Sequence, residues 1–215
     1  MPYFWSQASG KVLGEDSSIT LSGFGDTRFR ISILLFGAPA LTVEEFAKSS
    51  PQNVLGVSLA VGAPTGQFFS DKLINLGTNR WSFKPEIGLS YILTERWYID
   101  LYAGVWFFTN NNSFYPGTTV RSQDPLMSLQ THLSYDFNRL TWIAFDFTYY
   151  FGGQSSVSVD DIYYDDRQEN MRFGATFNFP VSKIYAIKIA GSTGAIIGYG
   201  ADFSTISIAW QRAFY

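Results

Sequence analysis

The chain has 215 residues, 46% of them hydrophobic and 18% aromatic but only 15% charged, with a mean hydropathy of +0.01 and a formal net charge of −3. A chain so poor in charge yet neutral in hydropathy must interleave apolar and polar residues rather than segregate them. It has no cysteine for disulfides or thiolate chemistry, its charge balance gives no footing for nucleic acid, and it lacks the apolar run of roughly eighteen residues that a membrane-crossing helix requires.

Apolar residues recur with a period of two almost throughout, the signature of strands. Taken in chain order, ten strands are predicted, over residues 3–14, 26–36, 54–63, 81–91, 97–109, 127–136, 141–151, 170–180, 185–192 and 203–214. The fourth shows the pattern best. Trp81, Phe83, Pro85, Ile87, Leu89 and Tyr91 alternate with Ser82, Lys84, Glu86, Gly88 and Ser90. In the fifth, Ile99, Leu101, Ala103, Val105 and Phe107 oppose Tyr98, Asp100, Tyr102, Gly104 and Trp106; later strands set Phe145, Phe147 and Phe173 against Asp146, Thr148 and Arg172. A one-residue slip would exchange the two faces completely. Each predicted strand has about ten residues, the length of a tilted membrane strand.

The connections alternate. Thr94-Glu95-Arg96, Phe137-Asn138-Arg139 and Val181-Ser182-Lys183 read as tight turns, and residues 65–79, 110–125 and 152–168 as long polar loops. Short turns at one end and long loops at the other mark outer-membrane barrels, whose short side is periplasmic. Residues 40–50 are long for their side, and Thr42-Val43-Glu44-Glu45 reads as the capped start of a small helix there. Aromatic residues such as Trp81, Tyr91, Trp97, Tyr135 and Tyr185 collect at strand ends, where membrane barrels carry their interfacial girdles.

These features predict a single domain over residues 1–215: an all-β, antiparallel transmembrane β-barrel in the bacterial outer membrane. A soluble sandwich or lipocalin-like barrel also alternates, but it would have to pack nearly all these Phe, Trp and Ile side chains into one core beneath an outer face of Gly, Ser, Thr and Asn. Lipid and lipopolysaccharide are then the partners of the outward face. Met1 leads directly into Pro2-Tyr3-Phe4-Trp5 without a basic or apolar leader, so an export signal is expected upstream of this chain.

Several stretches carry a family resemblance. They are Gly23-Phe24-Gly25-Asp26-Thr27-Arg28-Phe29-Arg30, Gly37-Ala38-Pro39-Ala40-Leu41, Ala63-Pro64-Thr65-Gly66-Gln67 and, most specifically, Asn75-Leu76-Gly77-Thr78-Asn79-Arg80-Trp81-Ser82-Phe83-Lys84-Pro85-Glu86. Ser122-Gln123-Asp124-Pro125 and Ala209-Trp210-Gln211 belong with them. Together they resemble the outer-membrane transporter family named for the meta-pathway of phenol degradation. The resemblance implies an outer-membrane barrel that takes up small, aromatic molecules. It also implies strands upstream of the ten read here, for a total of about twelve in the intact protein.

Function is expected on the lumen face. The phase of the strands points Arg28, Arg30, Lys84, Glu86, Asp100, Gln130, His132, Asp146, Arg172, Asn178 and Lys188 inward. Isolated charge in a narrow barrel is costly, so these residues are either a paired network that plugs the lumen or the lining of a selective pore. Mixed signs argue against strong ion selectivity. In the polar loops, Phe68, Phe69, Phe114 and Tyr115 are uncharged and aromatic, and they are candidates for solute contact or for packing among loops.

His132 and Ser134 share one strand face, as a base and a nucleophile would, and outer-membrane phospholipases use such a pair. Here the pair faces the lumen rather than lipid, so no catalytic residues are assigned. A lone histidine makes no histidine-rich metal site. Asp160, Asp161, Asp165, Asp166 and Glu169 lack calcium-loop spacing and read as a solvated acidic loop. No metal or cofactor is expected. The resulting expectation is a passive channel for small hydrophobic or aromatic solutes.

Overall fold

A computed structural model describes residues 2–12, 15–37, 39–138, 140–158, 162–163, 166–182, 184–198 and 204–212. Eleven long strands run through it. They are β1 Tyr3–Val12, β2 Glu15–Phe24, β3 Thr27–Phe36, β4 Val54–Ala63, β5 Ser82–Ile92, β6 Trp97–Phe108, β9 Leu126–Asp136, β10 Trp142–Gly152, β13 Gln168–Pro180, β14 Tyr185–Ile197 and β15 Thr205–Arg212. Four short strands, β7 Asn111–Phe114, β8 Thr119–Gln123, β11 Ser155–Val157 and β12 Ile162–Tyr163, lie within the long loops. One helix, α1 Val43–Lys48, sits between β3 and β4.

Nine long strands form one sheet in the order β15-β14-β13-β10-β9-β6-β5-β4-β3, every neighbouring pair antiparallel. β1 and β2 form a hairpin of their own, and the four short strands form a small sheet at the loop end. The strand at Glu15–Phe24 is one more than the ten expected. Its apolar residues are sparse, which hid its period.

The three predicted tight turns share one construction. In each, a polar side chain accepts backbone N–H groups: Thr94 from Arg96 and Trp97, Asn138 from Leu140 and Thr141, and Ser182 from Ile184 and Tyr185. These acceptors close the reversal that a bare backbone would leave to water. The turn residues Arg139 and Lys183 lie outside the described residues. At α1, the Thr42 hydroxyl accepts the Glu45 N–H at 3.3 Å while the Glu45 carboxylate accepts the Thr42 N–H at 2.8 Å, a reciprocal capping box.

The sheet is inverted relative to a soluble protein. Phe29, Phe83, Phe145 and Phe173 are 60%, 37%, 54% and 52% exposed, whereas Lys84 and Glu86 are 8% and 7% exposed. Leu101 lies with the exposed apolar set, while the strand neighbour Asp100 is half-buried. Among the described residues the buried hydrophobic side chains are only Ala63, Leu126, Ala144 and Val157, too few for an aqueous core. A continuous apolar face of this extent is a surface for hydrocarbon. Its ends carry aromatic pairs, Trp97 with Tyr135 at 4.9 Å near the short turns and Trp81 with Phe83 at 6.3 Å near the loops.

Candidate functional site

The sheltered polar face is organised in tiers by strand register. In the first, Glu86 binds two cations: Arg30 Nη2 lies 2.5 Å from Oε1 and Lys84 Nζ 2.5 Å from Oε2. Lys84 and Glu86 are two apart on β5 and therefore share a face. Arg30 reaches them from β3, across β4. The intervening β4 positions on that face are Gly56, Ser58, Ala60 and Gly62, paired with Gly88, Glu86, Lys84 and Ser82 on one side. These small residues leave room for the guanidinium to cross.

The second tier lies nearer the short turns. Ser90 opposes Asp100, Asp100 opposes His132, and His132 opposes Asp146 across three successive pairings. The Ser90 hydroxyl donates to the Asp100 carboxylate, His132 Nδ1 lies 2.5 Å from Asp146 Oδ1, and the Thr176 hydroxyl donates to Asp146 Oδ2 at 2.9 Å. Tyr102 meets the His132 ring edge-on at 5.7 Å. Ser134 opposes Tyr98 and Ala144, and no hydrogen bond joins it to His132 among the described residues. Asp146 thus engages the imidazole through Nδ1.

The remaining predicted lumen residues fall between and beyond these tiers. Gln130 opposes Tyr102 and Thr148, and Thr148 opposes Arg172, which donates to Ser192 at 3.2 Å. Asn178 is buried, donates to the Leu140 carbonyl at 2.9 Å and opposes Lys188. A hollow of about 220 Å³, bounded by Arg30, Ser32, Gly56, Ser58, Glu86, Gly88, Ser90 and Tyr102, separates the two charged tiers.

At the loop end the Asn75–Glu86 stretch is a hydrogen-bonded scaffold. Asn75 accepts the Phe69 N–H at 2.7 Å and donates to the Phe69 and Lys72 carbonyls at 3.0 and 2.7 Å. Asp26, in the β2–β3 turn, accepts Gly66 N–H at 2.9 Å through one oxygen and Thr78 N–H and hydroxyl at 2.9 and 2.6 Å through the other. Asn79 adopts φ 52°, the left-handed conformation that asparagine tolerates, and donates to Asn111 at 2.9 Å.

This scaffold turns Arg80 inward. Its Nη2 donates to Gln123 at 2.5 Å and its guanidinium lies 4.3 Å from the Phe108 ring centroid, while Nη1 is buried with no partner among the described residues. A buried donor left unpaired costs roughly 1–3 kcal/mol. Burial, and then the charge of Arg121, push the Arg80 pKa down to about 10. Arg121 itself donates to Ser155 at 3.2 Å, faces Asp166 at 3.8 Å and covers Phe114 at 5.3 Å. Asp166 is buried and accepts the Ser155 N–H at 2.6 Å. Within the acidic loop it is therefore a structural pin, whereas Asp160, Asp161 and Asp165 lie outside the described residues.

Two cavities of about 160 Å³ each meet at Thr78 and Arg80. The outer one is lined by Phe68, Asn75, Phe114 and Arg121, the inner one by Asp26, Arg28, Ser82, Trp106, Phe108 and Leu126. Of the four loop aromatics, Phe68 and Phe114 are brought together here. Phe69 instead lies under Lys72 at 4.6 Å, and Tyr115 is exposed. Sequence reasoning passed over Arg80, Trp106 and Asp26; for Arg80 and Asp26 the available signal was charge placed beside turn-forming Asn79 and Gly25 outside the strands.

The family described as the MetA-pathway of phenol degradation matches residues 1–189. The chain belongs to this family. An outer membrane channel from Pseudomonas putida F1, known from its crystal structure, superposes with a TM-score of 0.80 at 22% identity, over 98% of this chain and 74% of that one. The family member described here thus shares that channel's fold. No curated protein matches the chain significantly.

Proposed function

We propose that this phenol-degradation family member is a β-barrel channel of the bacterial outer membrane, passively conducting small hydrophobic or aromatic solutes. One observation carries the reading: the sheet presents Phe, Ile and Leu outward and shelters Lys84, Glu86 and Asn178. Water would reverse that arrangement, while hydrocarbon rewards each outward Phe or Leu by roughly 1.5–3 kcal/mol. A closed barrel of about twelve strands is a size that fits an interior of side chains and small hollows. Outer-membrane lipid and lipopolysaccharide contact the apolar belt and the aromatic pairs at its two ends. The tiers of paired charge narrow the lumen, and the hollows between them, together with the loop cavities, form the path.

Flux of an uncharged aromatic probe such as benzyl alcohol into proteoliposomes tests the proposal. Replacing Phe68, Phe69, Phe114 and Tyr115 together with Ala is expected to lower that flux several-fold. Unchanged flux removes the loops from the path, and neither flux nor single-channel conductance in the wild type turns the reading into a plugged structural barrel. The lipase reading needs the Ser134 hydroxyl hydrogen-bonded to His132, and no such bond joins them among the described residues. Phospholipid hydrolysis abolished by Ser134→Ala is the result that would revive it.

A further inference from the structure

We propose that the inner loop-end cavity is a binding site for a small aromatic acid, its carboxylate held between Arg28 and Arg80 and its ring against Trp106 and Phe108. The inference rests on the channel reading above and names the solute class that the entrance selects.

The donors come first. Arg80 lines the cavity and donates to the neutral Gln123, with no carboxylate within ion-pair distance among the described residues. Arg28 lies with its guanidinium 5.9 Å from the Trp106 ring and has no carboxylate within ion-pair distance among the described residues. A carboxylate is the acceptor that satisfies guanidinium donors best, through short charge-assisted bonds.

The nearby carboxylates are already occupied. Asp26 borders the cavity, but its two oxygens take the Gly66 and Thr78 donors. Glu86 is bound by Arg30 and Lys84, and Asp166 faces Arg121 and Ser155. Among the residues that line the cavity, Arg28 and Arg80 therefore stand over a single carboxylate, Asp26, whose oxygens are already taken.

The walls supply the rest of the recognition. Trp106 and Phe108 stack at 6.5 Å with 10° between planes, each with a guanidinium nearby, so flat surfaces border the donors. A neutral aromatic ring would leave the two guanidiniums without an anion, and a small aliphatic or inorganic anion would leave the rings uncovered. The cavity, at about 160 Å³, admits one small ring-bearing molecule.

Calorimetric titration of the purified full chain in detergent with benzoate, benzyl alcohol, acetate and inorganic phosphate tests the site. Saturable benzoate binding is expected, with the other three at least about tenfold weaker, the scale of one lost charge-assisted hydrogen bond or of the ring contact. Arg80→Gln and, separately, Arg28→Gln should each weaken benzoate about tenfold or more and leave benzyl alcohol unmoved. Arg28 lies on β3 outside the loop scaffold, so its variant reads the site even if Arg80→Gln disturbs the loops. Benzyl alcohol binding as tightly as benzoate, or wild-type benzoate affinity in Arg28→Gln, overturns the proposal. Phosphate or acetate matching benzoate overturns it equally, because the rings then play no part. Binding in detergent is independent of flux: lost transport with intact benzoate binding sinks the channel reading and not the site, and the reverse result sinks the site alone.

Discussion

Glu86→Gln isolates the charge tier at the centre of the polar face. The substitution keeps shape but removes the single negative charge shared by Arg30 and Lys84 and turns one of the two acceptor oxygens into an NH2 donor. The two cations lose unequal amounts. The Arg30 side chain is 55% exposed, so its share falls on the surface scale of about 0–1 kcal/mol. The Lys84 side chain is 10% exposed and, among the described residues, its ammonium has the Trp106 face, at 5.6 Å, as its second partner. An uncompensated buried charge of that kind costs roughly 3–5 kcal/mol, reduced somewhat by cation–π contact, so a loss of about 2–4 kcal/mol is expected in total. Adding Lys84→Met should restore most of it, because removing both charges removes the need for either. The assay is reversible urea unfolding in lipid vesicles, followed by tryptophan fluorescence, for wild type, both single variants and the double. A Glu86→Gln loss within about 0.5 kcal/mol, or strict additivity in the cycle, would show that Lys84 is solvated and that the polar face is not a sheltered interior.

Two further outcomes follow from other parts of the fold. Phe145→Arg, on the outward face, is expected to destabilise the folded state in vesicles by about 2–4 kcal/mol, whereas Thr148→Arg, three residues on and facing the other way, should cost much less; equal costs in an unfolding titration would contradict the assignment of faces. At α1, the Thr42 backbone N–H, and then its hydroxyl, hold the Glu45 carboxyl below its ordinary value of 4.5. A depressed carboxyl stabilises the folded state above that ordinary value and ceases to do so as pH falls through the lower folded value. Thr42→Ala deletes the hydroxyl but keeps the backbone N–H, so it should raise the Glu45 midpoint by the smaller part of the shift in an NMR titration, and an unmoved midpoint would remove the hydroxyl's share.

Much of the architecture was legible because a strand's two faces follow from parity alone. Phe83, Lys84, Pro85 and Glu86 alternate in the sequence as they alternate between exposure and burial. The tight turns were legible too, since Thr94, Asn138 and Ser182 are the residue types that close them. β2 was not, because Ile19, Leu21 and Phe24 are too few among Glu, Asp and Ser to reveal a period. Nor were the partners of the lumen charges. Arg30 and Glu86 are 56 residues apart, and only the register of β3, β4 and β5, with small residues between them, brings them together.

By itself, then, the order of residues determined the element type, the side of each strand that meets lipid and the end that carries loops, because these depend on neighbours one or two positions away. Tertiary structure alone decided which charges pair, which stay free, and that Arg80 turns in from a loop to stand beside Phe108 and border the cavity that Arg28 and Trp106 also line. Those outcomes depend on cross-strand register and on loop hydrogen bonds from Asp26, Asn75 and Asn79. Such contacts join residues distant in the chain, and local periodicity carries no information about them.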